Sequence, residues 1–264
     1  MIGNISIDTT RYPDGRTYVL IGGAALHVAL GAARAGTTAR PAAVIGADLT
    51  RLHALPWPEE LGLSHVATVA GASCRFDITY GTDGQVIGLI AAFGCAAALT
   101  THALDVLNGS DCDHWHVCCR RPLDIGPILE RLVTAGHSFS LDFHLTSAAE
   151  QIHAAKNALP HARTVFVNAA EYRLLDDFIA VNELATVVVS NGPGAVILLR
   201  YGHAITTESP QSGPVTEVTG AGDTLAGAFL AGILQGSTER EALASAVTAA
   251  THQARDAGLP YESP

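Results

Sequence analysis

The chain has 264 residues, a formal net charge of −10, and a single lysine, Lys156. This composition offers no basic cluster to follow a nucleic-acid backbone, and it excludes a phosphate loop of the Gly-x-x-x-x-Gly-Lys-Ser/Thr type. No run of about 18 apolar residues indicates a membrane span, and the first residues lack the pattern of a signal peptide. We therefore expect a cytoplasmic protein with neither a nucleic-acid nor a membrane partner.

Short apolar strands alternate with amphipathic helices along the chain. This alternation is typical of an α/β fold with a mostly parallel sheet and helices on both faces. Apolar residues make up 48 % of the chain, which is enough to form a large core. The predicted strands are 2–7, 40–45, 138–143, 164–167, 186–190, 195–200 and 203–207. The predicted helices are 24–35, 123–135, 147–159, 169–176, 223–234 and 239–257.

Two segments interrupt this alternation, residues 9–21 and 73–92. Each has the strand–turn–strand pattern of a hairpin, with Asp-Gly at the turn. Because both hairpins are polar on one face, we expect them to pair into a small sheet outside the main one.

The cysteines raise the question of a metal site. Cys112, Cys118 and Cys119 lie near His114 and His116, but they lack Cys-x-x-Cys spacing and no second pair follows. The segment also has the pattern of a short strand whose cysteines are buried as small apolar residues. We favour the strand, with a metal site as the alternative.

The most informative segment is Gly220-Ala221-Gly222-Asp223, which is followed by small and apolar residues at helical spacing. A glycine turn that begins a helix leaves backbone N–H groups free to bind a phosphate or a developing oxyanion. A carboxylate at this turn can remove a proton from the group that attacks the phosphate. The alternative is that Asp223 is only a helix cap.

Three further features lie near predicted strand ends. Asp8 follows the first strand, where a carboxylate can bind two adjacent sugar hydroxyls or simply cap a turn. Gly22 and Gly23 precede the first helix, and their amides can bind a hydroxyl or only shape a turn. Asn168 and Glu171 share one face at a helix start, a spacing that suits both the hydration shell of Mg²⁺ and a capping box.

A polar turn with glycines, Ser190-Asn191-Gly192-Pro193-Gly194, follows another strand and is suited to hold part of a nucleotide. Asp142 and His144 lie at the end of the strand 138–143, which places them among the candidates to face the cleft.

The order of these features resembles that of the ribokinase-like (PfkB) carbohydrate kinases over about residues 2–257, most specifically in 215–227. The resemblance implies a three-layer α/β/α sandwich, formed as a single domain over 1–264, with 9–21 and 73–92 as a β-sheet lid. It also implies transfer of the ATP γ-phosphate, with Mg²⁺, to a hydroxyl group.

The resemblance further implies roles for individual residues. Asp223 would be the catalytic base, and Gly220, Ala221 and Gly222 would form the anion hole. Asn168 and Glu171 would support Mg²⁺. The nucleotide would lie along Ser190, Gly192, Gly194 and Thr219. The acceptor would be held by Asp8, Gly22, Gly23 and His27, with Arg75 as a lid contact for an anionic group.

The sequence departs from the family pattern at three places. His27 and Ala24 stand where sugar-binding members carry Asn and Lys, so the acceptor contact is altered. Many members bind a monovalent cation through Asp-Thr-x-Gly-Ala-Gly-Asp, but this chain has Glu217-Val218-Thr219 before Gly220, which leaves that ion open. The Ser190–Gly194 turn is one residue short.

We therefore expect a kinase for a small sugar or polyol, with a CH₂OH group as the acceptor. A nucleoside kinase of the same fold and a non-catalytic binding relative are the alternatives. An exposed lid edge also makes a homodimer through the lid an expectation.

Overall fold

The structure is a computed structural model, and it describes residues 1–82, 84, 86–144 and 146–261. The first half contains strands β1 (Ser6–Arg11), β2 (Thr17–Gly22), β3 (Ala43–Ile45), β4 (Val66–Thr68), β5 (Cys74–Tyr80) and β6 (Val86–Ala92), and helices α1 (Ala24–Arg34) and α2 (Leu99–Gly109). The second half contains strands β7 (Trp115–Cys119), β8 (Phe139–Phe143), β9 (Thr164–Asn168), β10 (Thr186–Ser190), β11 (Val196–Arg200) and β12 (His203–Glu208). Its helices are α3 (Ile125–Thr134), α4 (Ala148–Ala155), α5 (Ala169–Phe178), α6 (Ala221–Leu234) and α7 (Glu239–Arg255).

The central sheet has the order β12-β11-β10-β9-β8-β7, and the strands from β7 to β10 are parallel. Single bridges from Ile2 to Val117 and to Ala42 extend it toward the parallel pair β3–β4. The predicted parallel α/β sheet is therefore confirmed.

Helices cover both faces of this sheet because its strands are apolar on both sides. On β10, Val187 packs in the cluster with α2, α3, α4 and α5, whereas Val188 packs with α1, α6 and α7. These neighbours point to opposite faces, as successive strand residues do. The three-layer sandwich expected from the resemblance is confirmed.

A separate four-stranded sheet with the order β2-β1-β5-β6 forms the lid. The prediction of two hairpins that pair outside the main sheet is therefore confirmed, although the bounds differ. The predicted strand 2–7 is wrong as one strand, because Ile2 bridges to the central sheet while β1 begins at Ser6 in the lid. A run of alternating residues specifies a strand but not the sheet it joins. Of the predicted lid segment 73–92, residues 83 and 85 lie outside the described residues.

Among the described residues, no helix has the length and apolar character that crossing a membrane requires.

Candidate active site

A cleft of about 440 Å³ lies between the lid sheet and the carboxyl ends of the central strands. Its volume is in the range of small-ligand sites, and its place at these strand ends is the usual one in open α/β sheets. Its lining includes most of the predicted site residues, namely Asp8, Gly23, His27, Asn168, Glu171, Ser190, Thr219, Gly220, Gly222 and Asp223. Asp142 and His144 also line it.

The turn before α6 lies at the centre of this cleft. Gly220 has a left-handed backbone (φ 78°), and a Cβ there would lie 2.5 Å from Cγ of His27, so glycine is required for two reasons. No side chain caps the start of α6. The Ala221 amide donates to the Val218 carbonyl at 3.2 Å, so the Gly222 amide and the helix dipole are the features available to an anion, and Asp223 lies in the same first turn.

Arg120, which follows β7 directly, joins two carboxylates beneath the turn. Its Nη2 lies 3.1 Å from Oδ1 of Asp223, and it also donates to Oδ2 of Asp142. Burial opposes ionisation of Asp223, but the charge and hydrogen bond of Arg120, together with His27 and His144, outweigh it and lower the pKa of Asp223. Burial raises the pKa of Asp142, so of the two carboxylates Asp142 is the first to take up a proton. Asp223 is thus kept in its basic form.

Two histidines beside Asp223 are held neutral. Burial lowers the pKa of His27, and it lowers the pKa of His144 to about 4. His27 packs on the Gly220 turn from α1, and Nδ1 of His144 lies 2.9 Å from Oγ1 of Thr146. Neutral imidazoles in these positions can donate to or accept from a polar ligand without adding charge.

Asp8 lies inside lid strand β1 rather than at the end of a central strand, which corrects its predicted context. Asn4, Ser6 and Asp8 all line the cleft, and each has a buried side-chain oxygen without a hydrogen-bond partner among the described residues. Burial raises the pKa of Asp8 to about 7. Such unsatisfied buried groups indicate a site prepared for a polar ligand.

Gly22 and Gly23 pack against the polar floor of the cleft, which is formed by Asn4, Ser6 and Asp8. A Cβ on Gly22 would lie 2.0 Å from Oδ2 of Asp8, so this glycine makes room for the carboxylate. Gly22 itself is not among the lining residues. Gly23 has φ 102° and packs against the backbone of Asn4. The structure thus gives these two glycines a steric role beside the predicted ligand.

The lid closes the cleft with an apolar wall. Phe76, Ile78 and Tyr80 of β5 and Leu89 of β6 line the cleft, and Phe93 makes an edge contact with Phe76 at 6.5 Å between ring centroids. The sequence pattern had not revealed this aromatic surface.

Arg75 is turned away from that wall, against the prediction that it faces the substrate. Its Nη2 lies 2.8 Å from Oδ2 of Asp48, and its guanidinium lies over the ring of Tyr261. Neighbouring strand residues point to opposite faces. Since Phe76 faces the cleft, Arg75 faces outward.

Asn168 and Glu171 form a capping box at the start of α5. Oδ1 of Asn168 accepts from the Glu171 amide at 2.9 Å, and Oε2 of Glu171 accepts from the Asn168 amide at 2.8 Å. Both residues also line the cleft. The carboxylate and amide oxygens fit the oxygen ligands and bound waters that Mg²⁺ prefers. The cap fixes the two side chains in the lining of the cleft, which is compatible with such a role.

Ser190 is paired in register with Asn168 at the ends of β10 and β9, and both Ser190 and Thr219 line the cleft. Gly192 and Gly194 lie in the turn that follows β10 and are not among the lining residues. Gly192 has φ 54°, and the Gly194 amide donates to the Asn191 carbonyl at 2.8 Å. Of the predicted nucleotide turn, Ser190 lines the cleft, whereas Gly192 and Gly194 do not.

Residues 115–119 form the buried strand β7, as favoured over a metal site. His116 and Cys118 share one face with Asp142, and their ligand atoms lie within 4.8 Å of one another. Burial raises the pKa of Cys118 well above its usual value, which keeps it a thiol. A thiol of this kind behaves as a small core residue.

Comparison with known proteins agrees with this fold. A cytidine kinase from Thermococcus kodakarensis is 27 % identical over 249 residues, which cover 89 % of this chain and 88 % of that protein. A nucleoside kinase of Burkholderia thailandensis, solved with inosine, superposes with a TM-score of 0.81 at 19 % identity over 97 % of this chain and 90 % of that one. A structure from E. coli described as a ribokinase II, solved with ATP and Mg²⁺, superposes with a TM-score of 0.76 at 17 % identity over 97 % of this chain and 92 % of that one.

The fold and site therefore define a ribokinase-like phosphotransferase with an alcohol group as acceptor. The model of the pfkB family of carbohydrate kinases matches residues 2–263, so the chain belongs to this family.

Sequence reasoning missed several residues of the site. Arg120 carries no motif, and only its position at the carboxyl end of a strand, where Asp142 and Asn168 also lie, could have indicated it. Asn4 and Ser6 precede Asp8 at alternate positions. In an extended chain such residues point to the same face, so this spacing could have indicated them once β1 was recognised.

Proposed function

We propose that the protein is an ATP-dependent nucleoside kinase that phosphorylates the CH₂OH group of a ribosyl moiety. The observation that carries this proposal is the apolar and aromatic wall of Phe76, Ile78, Leu89 and Phe93 in the same cleft as Asp8. A nucleoside has a flat base that packs on such a wall and a diol that a carboxylate binds. The similarity to a cytidine kinase supports the same acceptor class.

In this mechanism Asp223 is the general base. Its carboxylate takes the proton of the acceptor hydroxyl while the hydroxyl oxygen forms a bond to the γ-phosphorus and the bond to the leaving ADP oxygen breaks. Mg·ATP, when bound, supplies the phosphoryl group and neutralises part of its charge. Asn168 and Glu171 would hold the hydrated metal ion, and Ser190 and Thr219 would contact the nucleotide.

The amides at Gly220 and Gly222, the start of helix α6 and the guanidinium of Arg120 stabilise the charge that develops on the transferred group, while the Ala221 amide, which donates to the Val218 carbonyl, holds the turn in shape. Arg120 also lowers the pKa of Asp223, so the two residues act as a unit. The lid keeps water from the reacting atoms, which limits hydrolysis of ATP.

A small sugar or polyol is the second candidate acceptor. The polar floor formed by Asn4, Ser6 and Asp8 favours it, because this floor binds hydroxyl groups and does not require a base. In that case the aromatic wall would cover the apolar face of a sugar ring.

The test is ADP release over a panel of nucleosides and free sugars, with Asp223→Asn as the key variant. We expect a nucleoside to give the highest kcat/KM, and Asp223→Asn to lose about 10²-fold or more in kcat as general-base loss requires. Arg120→Met should also lower kcat. Asp105→Asn, an exposed carboxylate on α2, is the matched control and should retain wild-type activity.

Three outcomes would contradict the proposal. A free sugar as best acceptor would establish the second candidate. ATP binding without ADP release for any acceptor would indicate a non-catalytic binding protein. Full activity of Asp223→Asn would remove Asp223 from the role of base.

A further inference from the structure

The lid is tied to the turn before α6 through one buried carboxylate. Glu217 is 0 % exposed. Its Oε2 accepts from Oγ1 of Thr10 at 2.6 Å, and its Oε1 accepts from Oη of Tyr12 at 2.7 Å and from the Thr219 amide at 2.9 Å. The lid and the segment that leads to the anion-binding turn therefore share one hydrogen-bonded centre.

Two stacked phenols strengthen this link. Oη of Tyr12 also accepts from the Val218 amide at 3.2 Å, and Oη of Tyr80 lies 2.8 Å from Oγ1 of Thr219. The rings of Tyr12 and Tyr80 are stacked at 4.9 Å between centroids. Val218 and Thr219 directly precede Gly220, so each lid hydroxyl acts one or two residues from the turn.

A buried carboxylate requires compensation, since an unpaired charge in the interior is costly. Among the described residues, hydroxyl and amide donors supply it for Glu217. Glutamate is one methylene longer than aspartate, which lets this carboxylate reach the lid. The sequence left a monovalent cation open at this stretch. Three donors already fill three of the roughly four acceptor sites on the oxygens of Glu217, so this carboxylate is committed to the lid and the neighbouring backbone and does not fit a required cation.

We propose that Glu217, Thr10 and Tyr12 are positioning residues that couple lid closure to the geometry of the anion-binding turn, without a monovalent cation. This inference rests on the proposed kinase function. When the lid lies over the acceptor, its hydroxyls fix Val218 and Thr219 and thereby the amides at Gly220–Gly222. When the lid is displaced, the segment Glu217–Thr219 that leads into the turn loses its four hydrogen bonds with Thr10, Tyr12 and Tyr80.

Steady-state kinetics on the full chain test the coupling. Tyr12→Phe and Thr10→Val each remove one hydroxyl at nearly constant shape. We expect each to lower kcat about tenfold, the effect of losing one hydrogen bond to a charged group, with little change in the acceptor KM. Thr10→Ser keeps the hydroxyl and should retain most of kcat. Tyr18→Phe is the matched control, since Tyr18 contacts the ring of Tyr12 edge-on within the lid.

Wild-type turnover should be the same in potassium, sodium and choline salts at equal ionic strength. Strong activation by potassium, or a wild-type kcat in both hydroxyl-deletion variants, would overturn the proposal.

Hydrogen exchange separates this inference from the proposed function. The Val218 and Thr219 amides should exchange faster in Tyr12→Phe than in Tyr18→Phe, whether or not any acceptor is phosphorylated. Unchanged exchange would overturn the coupling, whereas faster exchange in a protein inactive on every acceptor would overturn only the kinase proposal.

Discussion

Asp8, the proposed acceptor-binding carboxylate, is held in an environment that disfavours its charged form. It is buried, its Oδ1 has no partner among the described residues, and burial raises its pKa to about 7. The charges of Asp223 and Glu217 raise it further. Hydroxyl groups of the acceptor would supply the missing donors, so ligand binding and ionisation of Asp8 favour each other.

This linkage predicts a pH dependence of acceptor binding. Below about pH 7 Asp8 takes up a proton and can no longer accept from two hydroxyls, so the acceptor KM should rise as pH falls. The measurement is the acceptor KM against pH at saturating ATP. Asp8→Asn should show a high KM without this dependence. A pH-independent wild-type KM would contradict the assignment.

Asp8→Asn should weaken acceptor binding but increase the stability of the folded protein. A pKa raised from 3.8 to about 7 corresponds to roughly 4 kcal/mol. At low pH Asp8 is protonated and neutral, and its burial does not destabilise the native state. This advantage is lost as pH rises through about 7, because the buried carboxyl group then becomes charged. Asp8→Asn should therefore be more stable than wild type above neutral pH and show little gain near pH 4, which thermal unfolding at both pH values checks.

At the residue level, the sequence identified side chains that belong to a local motif and missed those placed by topology. The preceding residues Gly220-Ala221-Gly222 identify Asp223 as part of a motif. Arg120 has no such context, because its pairing with Asp223 joins residues 103 positions apart. Arg75 was misassigned, because the face it occupies depends on which side of β5 the cleft lies.

Helices α1 and α6 bring the two halves of the site together. A Cβ on Gly227 would lie 2.0 Å from the carbonyl oxygen of Val28, and one on Gly31 would lie 2.6 Å from that of Thr224. These glycines allow the backbones to approach closely, and this approach sets His27 of α1 against the turn that carries Asp223 of α6. The sequence predicted both helices, but not this contact.

The element-scale prediction is that Gly227→Ala separates these helices. The added methyl group overlaps backbone, which cannot rotate away. We therefore expect a loss of about 1–3 kcal/mol in the free energy of unfolding, as in overpacked cores, and a lower kcat. Denaturant unfolding and ADP release measure the two effects. Gly109→Ala, at the end of α2 with no atom within 4 Å of the added Cβ, is the control and should be close to neutral. Equal stability of the two variants would contradict the close-packing argument.

The capping box at Asn168 and Glu171 shows another limit of prediction from sequence at the scale of elements. A capping box and a pair that orders Mg²⁺ use the same residues at the same spacing, so the sequence left both open. The structure shows the cap together with the position in the cleft, and the magnesium role of the pair stays a prediction.

On the scale of the whole molecule, the lid sheet has an apolar edge strand that is suited to pair with another chain. β6 is the last strand of the lid sheet, and its residues Val86–Ala92 carry no charge. Ile87 and Ile90 are 70 % and 73 % exposed. A long, uncharged, apolar edge strand favours pairing with another chain.

We therefore predict a homodimer in which the β6 edges of two copies pair. This contact would bury Ile87 and Ile90 and join the two lid sheets into one. Light scattering after size exclusion should give twice the chain mass for wild type, and Ile90→Lys should give a monomer because its charge would be buried at the contact. The control is Ile205→Lys, an isoleucine 46 % exposed on the edge strand β12 of the central sheet, which should remain dimeric. Because Leu89 of the same strand lines the cleft, the monomer should also show a higher acceptor KM. A monomeric wild type, or a dimer that survives Ile90→Lys, would show that the lid edge is not the contact between copies.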